Sequence, residues 1–259
     1  MKFLQITDLH MNAGGPLYGL DPAERLAACI ADIRRTHADA DRAVITGDLA
    51  HSGDPAAYRR LREMLQGLEM PTHLLIGNHD SRSEFRKAFP DHPVDSDGNV
   101  QFTVDTAAGR FICLDTNVPG AHHGELDAAR LRWLTDELDR AGEKPVYLFM
   151  HHPPFDVGIR RMDRISLRDK AAFAEVVSGR PGIRQLFFGH LHRPISGMWN
   201  GIPFANLPGM NHQVALDFEI EDEVPGSHEP PFYAVIFADP GQTIVHLKNF
   251  LDQTNTFHL

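Results

Sequence analysis

Five short apolar runs in this chain each end abruptly in side chains that can bind a metal ion. The runs cover residues 2–6, 43–46, 73–76, 146–150 and 185–188, and their composition predicts buried β-strands. The polar residues that follow them are Asp8 and His10, Asp48, Asn78, His151, and His190 and His192. In an α/β sheet, ligands bind in the crevice at the carboxyl ends of the strands. We therefore expect these five strand ends to meet at one site.

Amphipathic helices are predicted between several of these strands. The helical segments are residues 22–36, 54–67, 127–140 and 167–178. The first two open with Asp-Pro, an N-cap followed by proline at the first helical position. Runs at 101–104 and 110–114, separated by a turn-like segment, predict an antiparallel hairpin. Further strand candidates are 202–205, 214–220, 233–237 and 243–247. The pattern predicts an α/β protein with mixed sheets.

The 259 residues are enough for one main domain and a small appendage. Periodicity is lost near residues 221–231, where acidic residues, glycine and three prolines cluster, and a strand pair at 232–237 and 243–248 follows. We therefore expect a main domain over residues 1–209 and a C-terminal β extension over 210–259. That extension would complete the sheet, cover the site or mediate oligomerisation.

The composition excludes some partners. A net charge of −10, with dispersed basic residues, argues against binding to long nucleic acid. No apolar run approaches the ~20 residues that span a membrane, so no membrane partner is expected. The first residues resemble a strand rather than a secretion signal, which predicts a cytoplasmic location. Cys29 and Cys113 are expected to be reduced core residues.

The potential metal ligands are two carboxylates, one amide and four imidazoles. This mixture of oxygen and nitrogen donors suits Zn, Mn, Fe or Co, and seven ligands suit two ions if one carboxylate is shared. In Asp8-x-His10 and His190-x-His192, alternate residues of an extended segment would project to the same side. Glycines 47, 77 and 189 would let the backbone turn and approach closely. Each motif alone is common, but burying five such sets without a ligand would be costly.

These motifs resemble those of the calcineurin-like metallophosphoesterases. The matching blocks are Asp8-x-His10, Gly47-Asp48, Gly77-Asn78-His79-Asp80, His151 and Gly189-His190-x-His192. The resemblance implies a four-layer α/β/β/α sandwich, with residues 1–209 as the catalytic domain, and two divalent or mixed-valence ions. Asp8, His10, Asp48 and His192 would hold one ion, and Asp48, Asn78, His151 and His190 the other. Asp48 and a hydroxide would bridge the ions.

The resemblance also implies roles around the metal ions. His79 would be catalytic and bind the substrate, donating a hydrogen bond to the phosphoryl group or protonating the leaving oxygen. The alternative is that His79 orients Asn78 or another ligand, a duty for which Asp80 is the natural candidate. His212 is a candidate substrate contact, and His152 is expected either to be structural or to support a neighbouring ligand. The sequence leaves the roles of His51, His122, His123, Arg160 and Arg161 open.

Within this family the chain is most similar to bacterial class III cyclic-nucleotide and glycerophosphodiester phosphodiesterases. The segments that carry this likeness are "LDTNVPG", "HHPP" and "GHLHRPISG". It departs from the protein phosphatases after Asp48, and His51 stands where purple acid phosphatases have a metal-bound tyrosine. The likeness implies hydrolysis of a small phosphodiester by a metal-bridged hydroxide, and a homo-oligomer. A broad-specificity phosphomonoesterase and a non-catalytic binding module on the same fold remain alternatives.

Overall fold

A computed structural model of the chain describes residues 1–254 and residue 257. The end of the predicted extension, residues 255, 256, 258 and 259, lies outside the described part. The strands are Lys2–Ile6 (β1), Arg42–Thr46 (β2), Thr72–Leu75 (β3), Phe102–Thr106 (β4), Gly109–Cys113 (β5), Val146–Phe149 (β6), Ile183–Phe188 (β7), Ile195–Trp199 (β8), Ile202–Asn206 (β9), Gln213–Val214 (β10), Gly226–Ser227 (β11), Phe232–Asp239 (β12) and Gln242–Asn249 (β13). The helices are Pro22–Thr36 (α1), Pro55–Leu65 (α2), Arg82–Ala88 (α3), Ala128–Ala141 (α4), Arg160–Arg164 (α5) and Lys170–Val177 (α6).

Two mixed sheets form the centre of the molecule. The first has the order β13-β12-β1-β2-β3, in which β1, β2 and β3 run parallel and β12 pairs antiparallel with β1. The second has the order β4-β5-β6-β7-β9-β8, with a parallel centre and an antiparallel pair at each edge. The prediction of mixed sheets is confirmed. The C-terminal strands β12 and β13 belong to the first sheet.

Three apolar cores separate four layers. One core lies between the first sheet and α1, α2 and α3, and includes Leu26, Tyr58 and Phe85. The second lies between the two sheets, where Phe3 packs edge-on against Phe111 with ring centroids 4.9 Å apart. The third lies between the second sheet and α4 and α6. This helix, sheet, sheet, helix arrangement confirms the predicted α/β/β/α sandwich.

The predicted helices begin where their capping residues place them. The side chains of Asp21 and Asp54 accept hydrogen bonds from the first-turn N–H groups of α1 and α2, and proline follows each. Asp127 caps α4 in the same way. The fourth predicted helix is shorter than expected and covers only Lys170–Val177.

The strand predicted at 214–220 is wrong beyond Val214. β10 pairs with the two residues of β11 and then ends, because no longer partner strand lies beside it. Leu216 and Phe218 are exposed, and Glu219 and Glu221 form ion pairs with α5. The prediction also missed α3, α5 and β8, which are short elements without a strong apolar period.

Cys29 and Cys113 are buried free thiols, as predicted, and burial raises the pKa of both. Among the residues that the structure describes, no helix has the length and apolar character needed to cross a bilayer.

Candidate metal centre

The seven predicted ligands come together at the carboxyl ends of strands from both sheets. Asp8 and His10 follow β1, Asp48 follows β2, and Asn78 follows β3. From the second sheet, His151 follows β6, and His190 and His192 follow β7. All but Asn78 are almost fully buried, and Asn78 is half-buried. The meeting of five strand ends expected from the sequence is what the structure contains.

The first group of donor atoms surrounds His192. Its Nε2 lies 3.1 Å from Nε2 of His10 and 3.2 Å from Oδ1 of Asp8. Oδ2 of Asp48 lies 3.6 Å from Nε2 of His10. Two donors that each lie about 2.1 Å from one ion are about 3.0–3.5 Å from one another. The spacing of these four side chains therefore suits one metal ion.

The second group surrounds His151 and contains the same oxygen of Asp48. Nε2 of His151 lies 3.3 Å from Oδ2 of Asp48 and 3.2 Å from Oδ1 of Asn78. Nδ1 of His190 lies 3.0 Å from that amide oxygen. Because Oδ2 of Asp48 faces both groups, it has the position that a bridging carboxylate requires.

The backbone at these ligands is unusual. Seven non-glycine residues of the described chain have positive φ, and five of them are predicted ligands: Asp8, His10, Asp48, His190 and His192. Such conformations cost about 1–3 kcal/mol each and cluster at functional sites. The expected alternation along an extended segment is wrong, since both Asp-x-His and His-x-His lie beyond the ends of their strands in left-handed conformations. Turned backbone, not a pleated strand, brings each pair to one side.

Glycine is required beside the ligands because space is short. A Cβ atom on Gly77 would lie 2.2 Å from Oδ1 of Asp48 and 2.6 Å from Nε2 of His151. On Gly47, whose φ is +101°, it would lie 2.5 Å from Nδ1 of His151. Neither position can accept a side chain without displacing a donor of the centre.

Hydrogen bonds to carbonyl groups determine which nitrogen of two ligand histidines carries the proton. Nδ1 of His151 lies 2.8 Å from the carbonyl oxygen of Thr46, and Nδ1 of His192 lies 2.7 Å from that of His212. A carbonyl only accepts, so each Nδ1 is the N–H donor, and the neutral ring presents a lone pair at Nε2. Metal-binding histidines are typically oriented in this way.

These lone pairs face oxygen atoms that also only accept. Nε2 of His151 faces the Asp48 carboxylate and the Asn78 amide oxygen, and Nε2 of His192 faces Asp8. Buried acceptors that converge in this way repel one another unless a proton or a metal ion lies between them. The convergence of these buried acceptor atoms therefore fits bound metal ions.

The titration behaviour of the ligands has the same cause. Burial disfavours the charged form of His151, but the adjacent Asp48 carboxylate outweighs this and raises the pKa of His151 to about 9. Burial opposes ionisation of Asp48 too, yet the histidines around it hold its pKa well below the usual range. A group that attracts a proton so strongly is a group that also attracts a cation.

His79 lies beside the predicted ligands and borders a cavity that adjoins them. Its backbone N–H donates to Oδ1 of Asp48 at 2.9 Å, and its ring Nδ1–H donates to the carbonyl oxygen of His51 at 2.7 Å. No described protein group bonds to its Nε2. His79 therefore has one ring nitrogen fixed by the protein and the other available to a ligand.

His51, whose role the sequence left open, connects His10 to His79. Its Nδ1 lies 3.2 Å from Nδ1 of His10, and its ring stacks on that of His79 with centroids 4.9 Å apart. If Nε2 of His10 binds a metal ion, Nδ1 of His10 carries the proton and donates a hydrogen bond to Nδ1 of His51. The only sequence signal for this was the position of His51 three residues after Asp48.

Asp80 holds two ligand loops together. Oδ2 accepts from the N–H groups of Gly77 and Leu49 at 2.8 and 3.0 Å, and Oδ1 accepts from Ala50 N–H and the Tyr58 hydroxyl at 2.9 and 2.8 Å. Burial and the charge of Asp48 raise the pKa of Asp80 to about 6, although these N–H groups oppose the shift. Asp80 therefore orients backbone on either side of the ligands without bonding to a ligand side chain.

Residues of the segment "LDTNVPG" support the loop that contains Gly77 and Asp80. The Asn117 amide donates to the carbonyl oxygens of Gly77 and Asp80 at 2.6 and 3.1 Å. Asp115 accepts two hydrogen bonds from Arg82, at 2.7 and 2.9 Å, which ties α3 to the second sheet. Neither side chain borders the cavity, so the structure gives them a supporting position that the sequence did not reveal.

The remaining histidines and arginines separate into two groups. His212, His122 and Arg161 border a cavity of about 570 Å³ that adjoins the ligands. His123 instead bonds to Glu125, and Arg160 to Glu219 and Glu221, away from that cavity. His152 is buried, with its ring nitrogens bonded to the Thr116 hydroxyl at 2.7 Å and the His122 carbonyl at 3.3 Å. Both nitrogens are used, so His152 has the structural position expected for it.

Comparison with known proteins agrees with this geometry. The sequence profile of the calcineurin-like phosphoesterases matches residues 1–194. A probable cyclic nucleotide phosphodiesterase of Rhodopseudomonas palustris is 46% identical over 100% of this chain and 96% of its own length. A probable glycerophosphodiester phosphodiesterase of Arcobacter nitrofigilis is 29% identical over 89% of this chain and 86% of its own length. A dimetal phosphatase from Danio rerio has the same fold, with a TM-score of 0.72 at 14% identity over 97% of this chain and 96% of that one.

The chain belongs to the calcineurin-like phosphoesterase family. It is thus an enzyme that hydrolyses phosphoric esters, and the two sequence relatives described above carry the names of phosphoric diester hydrolases.

Proposed function

We propose that the protein is a dinuclear-metal-dependent phosphodiesterase that hydrolyses small phosphodiesters, either cyclic nucleotides or glycerophosphodiesters. The observation that carries this proposal is the position of Asp48 Oδ2. This oxygen faces His10 in the first group of ligands and His151 in the second. The names of the sequence relatives support the diester as substrate.

Each group of donors would hold one ion. Asp8, His10 and His192 would complete one site with Asp48, and Asn78, His151 and His190 the other. Mn, Fe, Zn and Co all accept this mixture of imidazole, carboxylate and amide ligands. When bound, two such ions would lower the pKa of a shared water molecule towards ~7 and neutralise charge on the phosphoryl oxygens.

His79 would act on the substrate from the cavity side. Its Nδ1–H is committed to the His51 carbonyl, so an imidazolium would present Nε2–H to a phosphoryl or leaving oxygen. A donor held in place in this way stabilises developing negative charge or protonates the departing alcohol. Since the backbone N–H of His79 also bonds to Asp48, the ring position is linked to that of the central carboxylate.

The cavity has room for the groups esterified to the phosphate. Beyond the ligands it extends to Tyr18, Met162, Ile165 and Val224, and about 570 Å³ lies within the usual range of ~300–1,000 Å³ for small-molecule sites. His212 borders it with its ring centroid 4.7 Å from that of His192. We propose that His212 contacts the substrate, while its backbone carbonyl orients His192.

The test is hydrolysis by metal-stripped protein resupplied with Mn, Zn, Co or Fe. Bis-p-nitrophenyl phosphate is compared with p-nitrophenyl phosphate, and cyclic AMP with glycerophosphodiesters. Diester turnover that requires metal and is lost in Asn78→Ala, with the fold intact by circular dichroism, is expected. Faster monoester cleavage would assign a phosphomonoesterase instead. No turnover with two ions bound would assign a binding module.

Three further proposals rest on the sequence. We propose a boundary at residues 209/210, a cytoplasmic location and a homo-oligomer. A monomer by light scattering would exclude the last of these. The segment 210–259 supplies β12 and β13 to the first sheet and Val224 and His228 to the cavity. It therefore participates in both the sheet and the site.

A further inference from the structure

Besides the metal ligands, the lining of the cavity includes four apolar side chains, which we call the apolar wall. It is formed by Met162 and Ile165, at α5 and just after it, and by Val214 and Val224, at β10 and just before β11. These residues border the same cavity as His79 and Asp48, so a substrate whose phosphate lies on the metal ions would reach this wall with one of its ester groups.

The arginines of α5 differ in their partners. Arg160 pairs with Glu219 at 3.4 Å and Glu221 at 2.9 Å, and Arg164 pairs with Glu221. Arg161 alone borders the cavity, and no described carboxylate lies within ion-pair distance of its guanidinium. Its Nε is buried and has no acceptor among the described residues.

An unpaired donor is costly to bury unless a ligand supplies the missing acceptor. Leaving such a group unsatisfied costs roughly 1–3 kcal/mol, and more for a charged group. Because the Nε atom is buried, an acceptor that enters the cavity would approach the terminal nitrogens of the same guanidinium. With a net charge of −10 the chain has more carboxylates than cationic side chains, yet Arg161 has no carboxylate partner among the described residues.

The chemistry of this wall selects one kind of ester group. A guanidinium presents its donors in a planar fork that matches two acceptors side by side, such as O6 and N7 of guanine, or one acceptor such as N7 of adenine. The aliphatic side chains beside it suit the faces of a flat ring. A glycerol group has neither a flat face nor a fixed pair of acceptors.

We propose that Arg161 and the wall of Met162, Ile165, Val214 and Val224 form a subsite for a purine base. This rests on the proposed function, because the phosphate is taken to lie on the metal ions. Arg161 is then the residue by which the enzyme distinguishes a cyclic purine nucleotide from a glycerophosphodiester. It acts in binding the base and takes no part in the chemical step.

The test compares equilibrium binding with turnover in the full-length, metal-loaded protein. Binding of GMP and of inorganic phosphate is measured by calorimetry for wild type, Arg161→Ala and Arg161→Lys. We expect Arg161→Ala to weaken GMP binding at least 10-fold and to leave phosphate binding unchanged. Arg161→Lys, which keeps the charge but lacks the fork, should recover little of the loss. KM for cyclic GMP should rise similarly, with kcat nearly unchanged.

Two further variants separate base recognition from other effects. Arg168→Ala removes an exposed arginine of the same region that pairs with Glu125 outside the cavity. This variant should bind GMP and phosphate as wild type does. Val224→Ser, at an exposed position of the wall, should weaken the binding of GMP but not the binding of phosphate.

Equal weakening of both ligands in Arg161→Ala, no weakening of GMP, or full recovery in Arg161→Lys would overturn the base subsite. If wild type binds GMP through Arg161 but hydrolyses no diester with metal bound, the subsite stands and the proposed phosphodiesterase activity fails. Binding of GMP thus tests the base subsite, and turnover of a diester tests the proposed activity.

Discussion

The backbone N–H of His79 donates a hydrogen bond to Oδ1 of Asp48 at 2.9 Å, while Oδ2 of the same carboxylate faces His10 and His151. The side chain proposed to contact the phosphate thus belongs to the residue whose backbone positions the proposed bridging ligand. The two functions use different atoms of His79, so they can be separated by substitution.

His79→Ala should abolish most turnover without releasing metal. The variant loses the ring but keeps the backbone N–H that bonds to Asp48. A positioned acid or hydrogen-bond donor contributes about 10²–10⁴-fold, so kcat for bis-p-nitrophenyl phosphate should fall by about 100-fold or more. Metal content by plasma mass spectrometry should equal that of wild type. Loss of an ion together with the activity would instead make His79 a residue that orients the ligands.

Asp48→Ala and Asp8→Ala should differ in the number of ions lost. Oδ2 of Asp48 lies near ligand nitrogens of both groups, whereas Asp8 faces a ligand nitrogen only in the first, at His192. Its contact with the second group is a hydrogen bond from the backbone N–H of His190 at 3.2 Å, which involves no ligand atom of that group. The Asp48 variant should therefore bind both ions poorly, and the Asp8 variant should retain about one per chain. Equilibrium dialysis against Mn²⁺ or Co²⁺ measures this. Equal stoichiometry in the two variants would contradict a shared carboxylate.

His51→Ala should weaken metal binding although His51 is not a proposed ligand. Its Nδ1 is the partner of Nδ1 of His10, and loss of such a partner typically costs 10–100-fold in metal affinity. His51→Asn, which keeps an acceptor, should recover part of the affinity. His122→Ala, which borders the cavity but contacts no proposed ligand side chain, is the matched control. Unchanged Co²⁺ affinity and absorption spectrum in His51→Ala would exclude this role.

Stability should decrease in acid partly because of two histidines far from the metal centre. Burial lowers the pKa of His73 and His92 from 6.5 to about 4; Arg42 also contributes at His73. Nε2 of His92 accepts from Leu74 N–H, and Nε2 of His73 from Arg42, each at 3.3 Å, so neither ring can be protonated at Nε2 without losing its bond.

The sign follows from proton uptake. Between pH 6.5 and about 4 the unfolded chain binds more protons at these two histidines than the folded chain does. Their contribution is therefore complete above pH 6.5 and is lost as pH falls through about 4. Urea unfolding of His92→Gln should show a smaller decrease in the free energy of unfolding between pH 7 and 4.5 than wild type. The exposed His246→Gln variant is the control, and a slope that His92→Gln leaves unchanged would refute the prediction.

Most of the site could be predicted because strands end where their apolar runs end. Asp8 and Asp48 follow the adjacent parallel strands β1 and β2 after one intervening residue, and such strands place these residues at one edge of their sheet. His151 follows β6 of the second sheet in the same way. The reason given for the paired motifs was wrong, since a positive φ at Asp8 and His10 depends on hydrogen bonds from their N–H groups to Gly47 and Asp48, which are distant in sequence. Local patterns carry no information on such contacts.

Hydrogen bonds that end on backbone carbonyl groups escaped prediction for a related reason. The amide of Asn117 bonds to carbonyl oxygens of Gly77 and Asp80, and His212 orients His192 through its own carbonyl. Every residue has a carbonyl group, so residue type gives no sign of these bonds. The failed strand at 214–220 is similar, because Leu216 and Phe218 alternate as a strand does but have no partner beside them.

The sequence by itself determined the α/β class with mixed sheets, the strand ends and the seven residues predicted as ligands, because apolar periodicity and residue chemistry are local properties. Only the tertiary structure decided that Asp48 Oδ2 faces both groups, that His51 links His10 to His79, and that Arg161 borders the cavity while Arg160 does not. These are distances between segments far apart in the chain, and packing of the two sheets sets them.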